Sequence, residues 1–95
     1  MHATLRMKIP AGQHKEVYDI LGPMIERIKL EEGCLSCRLY RDVFARQWIM
    51  FEEIWVDEAS LQKHLHTDEF RTVLLVVEMA SQAPEIRMDV LANPG

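Results

Sequence analysis

The order in which strand-like and helix-like patterns follow one another most restricts the fold of this 95-residue chain. In four segments apolar residues alternate with polar ones or form short runs, which predicts strands, because successive strand side chains point to opposite faces. Elsewhere apolar residues recur at three- and four-residue steps, as in an amphipathic helix. The predicted strands are residues 3–9, 34–41, 47–56 and 83–91, and the predicted helices are residues 13–31, 58–66 and 67–81.

In chain order these segments give β-α-β-β-α-β, the split βαβ arrangement of ferredoxin-like α+β folds, with the helical region after the third strand divided at Thr67. We expect one domain over residues 1–95, with a tail at residues 92–95. Its four-stranded antiparallel sheet would be covered by helices on one face. Gly33 suits a positive φ after the first helix, and Asp57 and Thr67 suit helix N-caps.

The third predicted strand is apolar on both of its faces. By the two-residue period, Ile49, Phe51 and Trp55 lie on one face, and Trp48, Met50 and Ile54 lie on the other. Helices can bury only one of these faces, so the other predicts a second copy of the sheet and hence a homodimer. The period leaves open which residues line a pocket: either Glu53 with Phe51 or Glu52 with Met50.

A carboxylate, an indole and an imidazole lie close together in the segment from Trp48 to Phe70. Glu53 and Trp55 share a strand face, and His64 is on the helix that follows. Imidazole titrates near neutral pH, which makes His64 a candidate for proton transfer. Glu53 could orient that imidazole or act as a base itself. The alternative is a purely structural hydrogen bond between strand and helix.

Composition and charge exclude several classes of function. The net charge of −4 and the scattered Lys and Arg residues argue against nucleic-acid binding, which needs a concentrated basic face. No apolar run approaches the roughly 20 residues of a membrane span, and we expect a cytoplasmic protein because the N-terminus lacks a signal-peptide pattern. Cys34 and Cys37 form C-x-x-C within a predicted strand, where they should point to opposite faces, so we expect reduced structural thiols.

The segments EEGCLSCRLYRD and IMFEEIWVDEASLQKHLHTDEF resemble the antibiotic biosynthesis monooxygenase (ABM) domain family, which includes small quinol monooxygenases and autoinducer-processing enzymes. The similarity covers nearly the whole domain. Its matching positions are Gly33-Cys34-Leu35-Ser36, Glu53, Trp55, His64, Thr67 and Phe70, with Pro10-Ala11-Gly12-Gln13 at the first strand-to-helix link.

The resemblance implies a homodimer with an α+β barrel and a small-molecule pocket in each protomer. It also implies a monooxygenase that oxidises a small aromatic, phenolic or quinol-type substrate with dioxygen, without flavin, haem or metal. His64 and Glu53 would be the catalytic residues. The candidate substrate-binding residues are Trp55, Phe51, Tyr40 and Phe70.

Two alternative functions stay open, an isomerase of a small oxygenated metabolite and a non-catalytic dimeric protein that binds a small ligand in a stress response. Haem degradation on this fold would need three residues, an Asn on the first strand, a Trp ending the third strand and an iron-ligating His on the helix. Trp55 would match, but ATLRMKI has no Asn and the position of the ligand falls near Leu74. We therefore expect no haem.

Overall fold

The computed structural model describes residues 1–90, which form the predicted ferredoxin-like α+β arrangement. The elements are β1 (His2–Lys8), a 3-10 turn (Ala11–Gln13), α1 (His14–Ile28), β2 (Cys34–Arg41), β3 (Trp48–Trp55), α2 (Glu58–His64), α3 (Asp68–Val77) and β4 (Glu85–Asp89). The expected end of the last strand at residue 91 and the expected tail at 92–95 lie outside the described residues. No helix within residues 1–90 is both long and apolar enough to cross a membrane.

The four strands form one antiparallel sheet in the order β2-β3-β1-β4, so β1 and β3 are central. The helices cover the face of β3 that carries Phe51, Glu53 and Trp55, all of which are buried. Opposite residues of antiparallel strands share a face, and Leu5 of β1 lies opposite Phe51. Of the two pocket linings left open by the sequence, the structure has Glu53 with Phe51.

Gly33 makes the turn between α1 and β2 with a φ of 85°. A side chain there would collide with α2, because a Cβ on Gly33 would lie 2.6 Å from the Cβ of Ser60. Only glycine combines this backbone conformation with so close an approach. The predicted role of Gly33 is confirmed, although α1 ends at Ile28 rather than at residue 31.

Both predicted helix caps are present. The Asp57 carboxylate accepts a hydrogen bond from the Ser60 N–H at 2.8 Å, and the Thr67 hydroxyl accepts one from the Phe70 N–H at 3.2 Å. The Thr67 hydroxyl also donates to the carbonyl of His64 at 2.7 Å, which helps to satisfy the last turn of α2. This contact separates α2 from α3, so α2 ends at His64 rather than at residue 66. Helix α3 ends at Val77, short of the predicted residue 81.

The two cysteines do not point to opposite faces, so that prediction is wrong. A register shift after Cys34 pairs Cys34 with Trp55 and Cys37 with Glu53, which places both thiols on the face that meets the helices. The extra residue of a β-bulge changes the alternation, and a plain two-residue period misses it. Both cysteines are free thiols, and burial is the main cause that raises the pKa of each.

β4 lies at the edge of the sheet and is exposed throughout. Its sequence alternates as predicted, but Ile86 and Met88 are 62% and 48% exposed. Met88 is therefore not a packed core residue of the single chain. The apolar side of β4 instead borders a cavity beneath α3.

Candidate functional site

The imidazole of His64 lies between two carboxylates. Its Nε2 is 2.8 Å from Oε2 of Glu53, and its Nδ1 is 3.0 Å from each carboxylate oxygen of Glu31. The side chain of His64 is fully buried, that of Glu53 is 6% exposed and that of Glu31 is 22% exposed. Both ring nitrogens are thus matched to a negative group, an arrangement that suits the imidazolium ion.

Local structure explains why these three side chains meet. Helix α2 begins at the Asp57 cap and turns Leu61 and His64, three residues apart, toward the sheet. Glu53 points inward because it shares the two-residue period of the buried side of β3. Glu31 lies just after α1, and its N–H donates to the carbonyl of Ile28 at 3.0 Å, which holds the residue in place before the Gly33 turn.

Two aromatic side chains pack against the imidazole of His64. The Trp55 ring is tilted by 31° with its centroid 4.8 Å from the imidazole, and the Phe70 ring meets the imidazole edge-on at 5.8 Å. Aromatic rings at these distances pack favourably, and a cation over a Trp face gains further attraction. The aromatic rings therefore restrict the orientation of the imidazole and favour its charged form.

The pKa of His64 reflects two opposed causes. Burial lowers it by disfavouring the charged form, and the Glu53 and Glu31 carboxylates raise it by favouring that form. The carboxylates prevail, so the pKa of His64 lies above its usual 6.5. The site therefore favours an imidazolium paired with two carboxylates near neutral pH.

The contact between His64 and Glu53 is close but not aligned as a hydrogen bond. Nε2 and Oε2 are 2.8 Å apart, yet each lacks a well-directed hydrogen-bond partner within residues 1–90. The indole Nε1 of Trp55 is a third buried polar atom that lacks a hydrogen-bond partner within residues 1–90. The two groups of the His64–Glu53 pair still attract each other, because attraction between charges depends weakly on angle. Catalytic hydrogen bonds often align only when a ligand binds.

An apolar cavity of about 100 Å³ lies between the sheet and the helices. Its walls include Leu5, Phe51, Leu61, Phe70, Val73 and Ile86. Among the described residues, Glu53 is the one titratable side chain in this lining. His64 lies behind Glu53 and does not reach the wall of the cavity. A ligand in this cavity would meet a carboxylate in apolar surroundings, and the imidazolium would support that carboxylate from behind.

The structure brings together most of the residues that the sequence nominated. Glu53, Trp55, His64 and Phe70 form one cluster, and Phe51 lines the adjoining cavity.

Tyr40 does not join that cluster. It lies opposite Met50 on the other face of the sheet, and its hydroxyl donates to Oε1 of Glu52 at 3.4 Å. The expectation that Tyr40 is a substrate-binding residue of this pocket is therefore corrected for the single chain. After the bulge, the even-numbered residues of β2 face away from the helices, and Tyr40 is one of them.

Glu31 was missed by the sequence reasoning. It is 33 residues from His64 along the chain, and the sequence predicted it only as the last residue of the first helix. The one available signal was its place at the start of EEGCLSC, directly before the glycine turn. Among residues 1–90, no group of three or more His, Cys, Asp or Glu side chains is arranged to hold a metal ion.

The sequence of this chain also matches the model of a known protein family. The chain belongs to the antibiotic biosynthesis monooxygenase family, whose model matches residues 1–74. No curated protein matches the sequence significantly.

Solved structures support the same fold. The chain is 25% identical to an antibiotic biosynthesis monooxygenase of known crystal structure, with 96% of this chain and 98% of that chain covered and a TM-score of 0.83. A putative antibiotic biosynthesis monooxygenase from Bacteroides thetaiotaomicron is 24% identical, with coverages of 100% and 91% and a TM-score of 0.81. A conserved protein from Methanosarcina mazei Go1 is 23% identical, with coverages of 90% and 86% and a TM-score of 0.83.

Proposed function

We propose that this protein is a monooxygenase that oxidises a small aromatic, phenolic or quinol-type substrate with dioxygen, without flavin, haem or metal. The observation that carries the proposal is the Glu53 carboxylate at the wall of an apolar cavity, 2.8 Å from the buried imidazole of His64. Membership of the antibiotic biosynthesis monooxygenase family supports the reaction class.

The proposed reaction begins with loss of a proton from the substrate. An electron-rich phenolate or enolate can then reduce dioxygen itself, so the protein needs a base and an apolar space that holds both reactants. In the overall reaction a ring CH2 of the keto tautomer becomes C=O, one oxygen atom of dioxygen enters the product, and the other leaves as water. The proton that the base accepts is returned when this water forms.

We also propose that the protein acts as a cytoplasmic homodimer whose interface includes the outer face of the sheet. On that face Trp48, Met50 and Ile54 are only partly buried in the single chain. Arg6 lies 4.5 Å from the centroid of the Trp48 ring. A second sheet packed on this face would bury the apolar side chains, as the two-faced composition of β3 requires.

Oxygen uptake with a panel of quinols and polycyclic phenols tests the proposed activity. The wild-type protein should consume oxygen with at least one substrate, and His64→Ala should lose most of that activity. His66→Ala is the matched control, because His66 is exposed and lies two residues away.

Three other results would contradict the proposed function. Absence of uptake across the whole panel would exclude the tested substrate classes. Ligand-induced thermal shifts without turnover would favour a binding protein, and product formation without oxygen uptake would favour an isomerase.

A further inference from the structure

We propose that Glu31, His64 and Glu53 act as one unit, in which Glu53 is the base that touches the substrate, His64 is its buried counter-ion and Glu31 is a positioning residue. This inference rests on the proposed function, since it assigns the roles within the same site. It also reverses the simplest reading of the site, in which the histidine itself takes the proton from the substrate.

The order of the three side chains from cavity to surface supports these roles. Glu53 lines the cavity, whereas His64 is fully buried and does not line it. Glu31 contacts the far side of the imidazole and is the most exposed of the three. A cavity-bound molecule can therefore reach the carboxylate of Glu53 but not the imidazole behind it.

Glu53 needs a cation to remain a carboxylate in these surroundings. An unpaired charge beside an apolar cavity is costly, and a buried partner of opposite charge offsets much of that cost. The imidazole of His64, 2.8 Å away, is the cation that the structure places there.

Glu31 keeps the imidazole charged and correctly turned. Its two oxygens contact Nδ1 at equal distances of 3.0 Å, which fixes the ring so that Nε2 faces Glu53. Other titratable groups near this site are the thiols of Cys34 and Cys37 on β2 and the ammonium of Lys29 after α1, whose charge acts on both thiols. Burial raises the pKa of both thiols, so they stay neutral where His64 titrates. The two carboxylates thus raise the pKa of His64 against the lowering effect of burial.

The proton transfer balances within the unit. The O–H bond of the substrate breaks, its electron pair stays on the substrate oxygen, and the proton bonds to a carboxylate oxygen of Glu53. The imidazolium of His64 keeps both of its protons throughout this step. Glu53 later returns the proton to the reduced oxygen as water leaves, which restores the starting charges.

Glu31→Gln tests the positioning role, with Glu32→Gln as the matched control, because Glu32 is the exposed neighbour. The readout is an NMR titration of the His64 ring in the full-length protein, which requires no turnover. We expect Glu31→Gln to lower the pKa of His64 by about 1 unit, Glu31→Asp to restore part of the shift and Glu32→Gln to leave it unchanged. An unchanged His64 titration in Glu31→Gln would overturn the proposal.

Kinetics supply a second readout if a substrate is found. Removal of a residue that orients a metal-ligating side chain typically costs about 10- to 100-fold. We expect a similar fall in kcat for Glu31→Gln, while KM changes little. The pH–rate profile of Glu31→Gln should also differ from that of the wild type. A wild-type-like profile in this variant would overturn the assignment of Glu31.

The failure of this proposal can be told apart from failure of the proposed function. If the NMR shift appears but no substrate is oxidised, the three residues still form the charge unit and the oxygenase reaction is wrong. If oxidation occurs but Glu31→Gln matches the wild type in both titration and kinetics, the oxygenase stands and the unit is wrong.

Discussion

Gly33 lies so close to Ser60 that a Cβ on Gly33 would be 2.6 Å from the Ser60 Cβ. The contact joins the turn before β2 to the first turn of α2. Glu31 precedes that turn by two residues, and His64 is on α2. The same packing that makes glycine necessary at position 33 therefore brings Glu31 within 3.0 Å of His64.

Gly33→Ala should destabilise the fold by about 3 kcal/mol, since it combines a strained positive φ with a steric clash. Urea denaturation measures the change. Gly22→Ala is the control, because a Cβ at Gly22 inside α1 meets nothing within 4 Å beyond its neighbours in the chain. It should change the stability by about 1 kcal/mol or less, since the contact of the new Cβ with Pro23 opposes the usual gain from alanine in a helix. Equal stabilities for the two variants would contradict the packing described here.

Stability should fall as pH rises above neutrality, and His64 is the cause. The pKa of His64 is raised in the folded protein, whereas the unfolded chain has the ordinary value of about 6.5. The folded state therefore binds the proton more tightly. The stabilisation that this proton gives to the fold is fully present below about pH 6.5. It is lost as pH rises through the pKa of His64 in the folded state.

Urea midpoints measured between about pH 6 and about pH 9 should show this loss. His64→Gln should flatten this part of the profile, and His66→Gln should leave it in place, because His66 is exposed. A profile that is the same in His64→Gln and the wild type would assign the pH dependence to other groups.

Glu53→Gln should abolish oxygen uptake, with a loss of about 100-fold or more, since general-base catalysis typically contributes at least this factor. The neutral amide keeps the size of the side chain, so the cavity should still bind ligand in a thermal-shift assay. Glu52→Gln is the control on the opposite face of β3, where the side chain contacts His2 at 3.0 Å. Full activity in Glu53→Gln would remove Glu53 as the base.

The proposed homodimer predicts a mass in light scattering of twice 11.1 kDa. Trp48→Glu introduces a charge on the outer face of the sheet and should shift the protein toward the monomer, because a buried unpaired charge weakens the interface. Leu30→Glu is the control, since Leu30 is 86% exposed and follows α1, away from that face. A folded wild-type monomer at micromolar concentration would contradict the dimer.

Several features of the fold could be predicted because their causes are local. Asp57 and Thr67 cap helices through hydrogen bonds to N–H groups three residues away. Gly33 follows the first helix in the way that positive-φ residues commonly do. The pairing of Glu53 with His64 was also accessible, because both belong to consecutive elements that pack against each other.

Other features depend on contacts that a periodic pattern does not contain. The bulge after Cys34 brings the two cysteines to the same face of the sheet, since one unpaired residue changes all the positions that follow. Tyr40 consequently lies on the outer face of the sheet, opposite Met50. The exposure of Ile86 on β4 depends on how far the helices extend over the sheet, which alternation does not encode.

The sequence by itself determined the order of the elements, their caps and turns, and the nomination of Glu53, Trp55 and His64. These follow from hydrophobic period and from hydrogen bonds between near neighbours in the chain. Only the tertiary structure decided that Glu53 rather than His64 faces the cavity, and that Glu31 completes the site. The physical reason is that both results depend on the packing of α2 against β3 and against the turn at Gly33, which joins residues far apart in the chain.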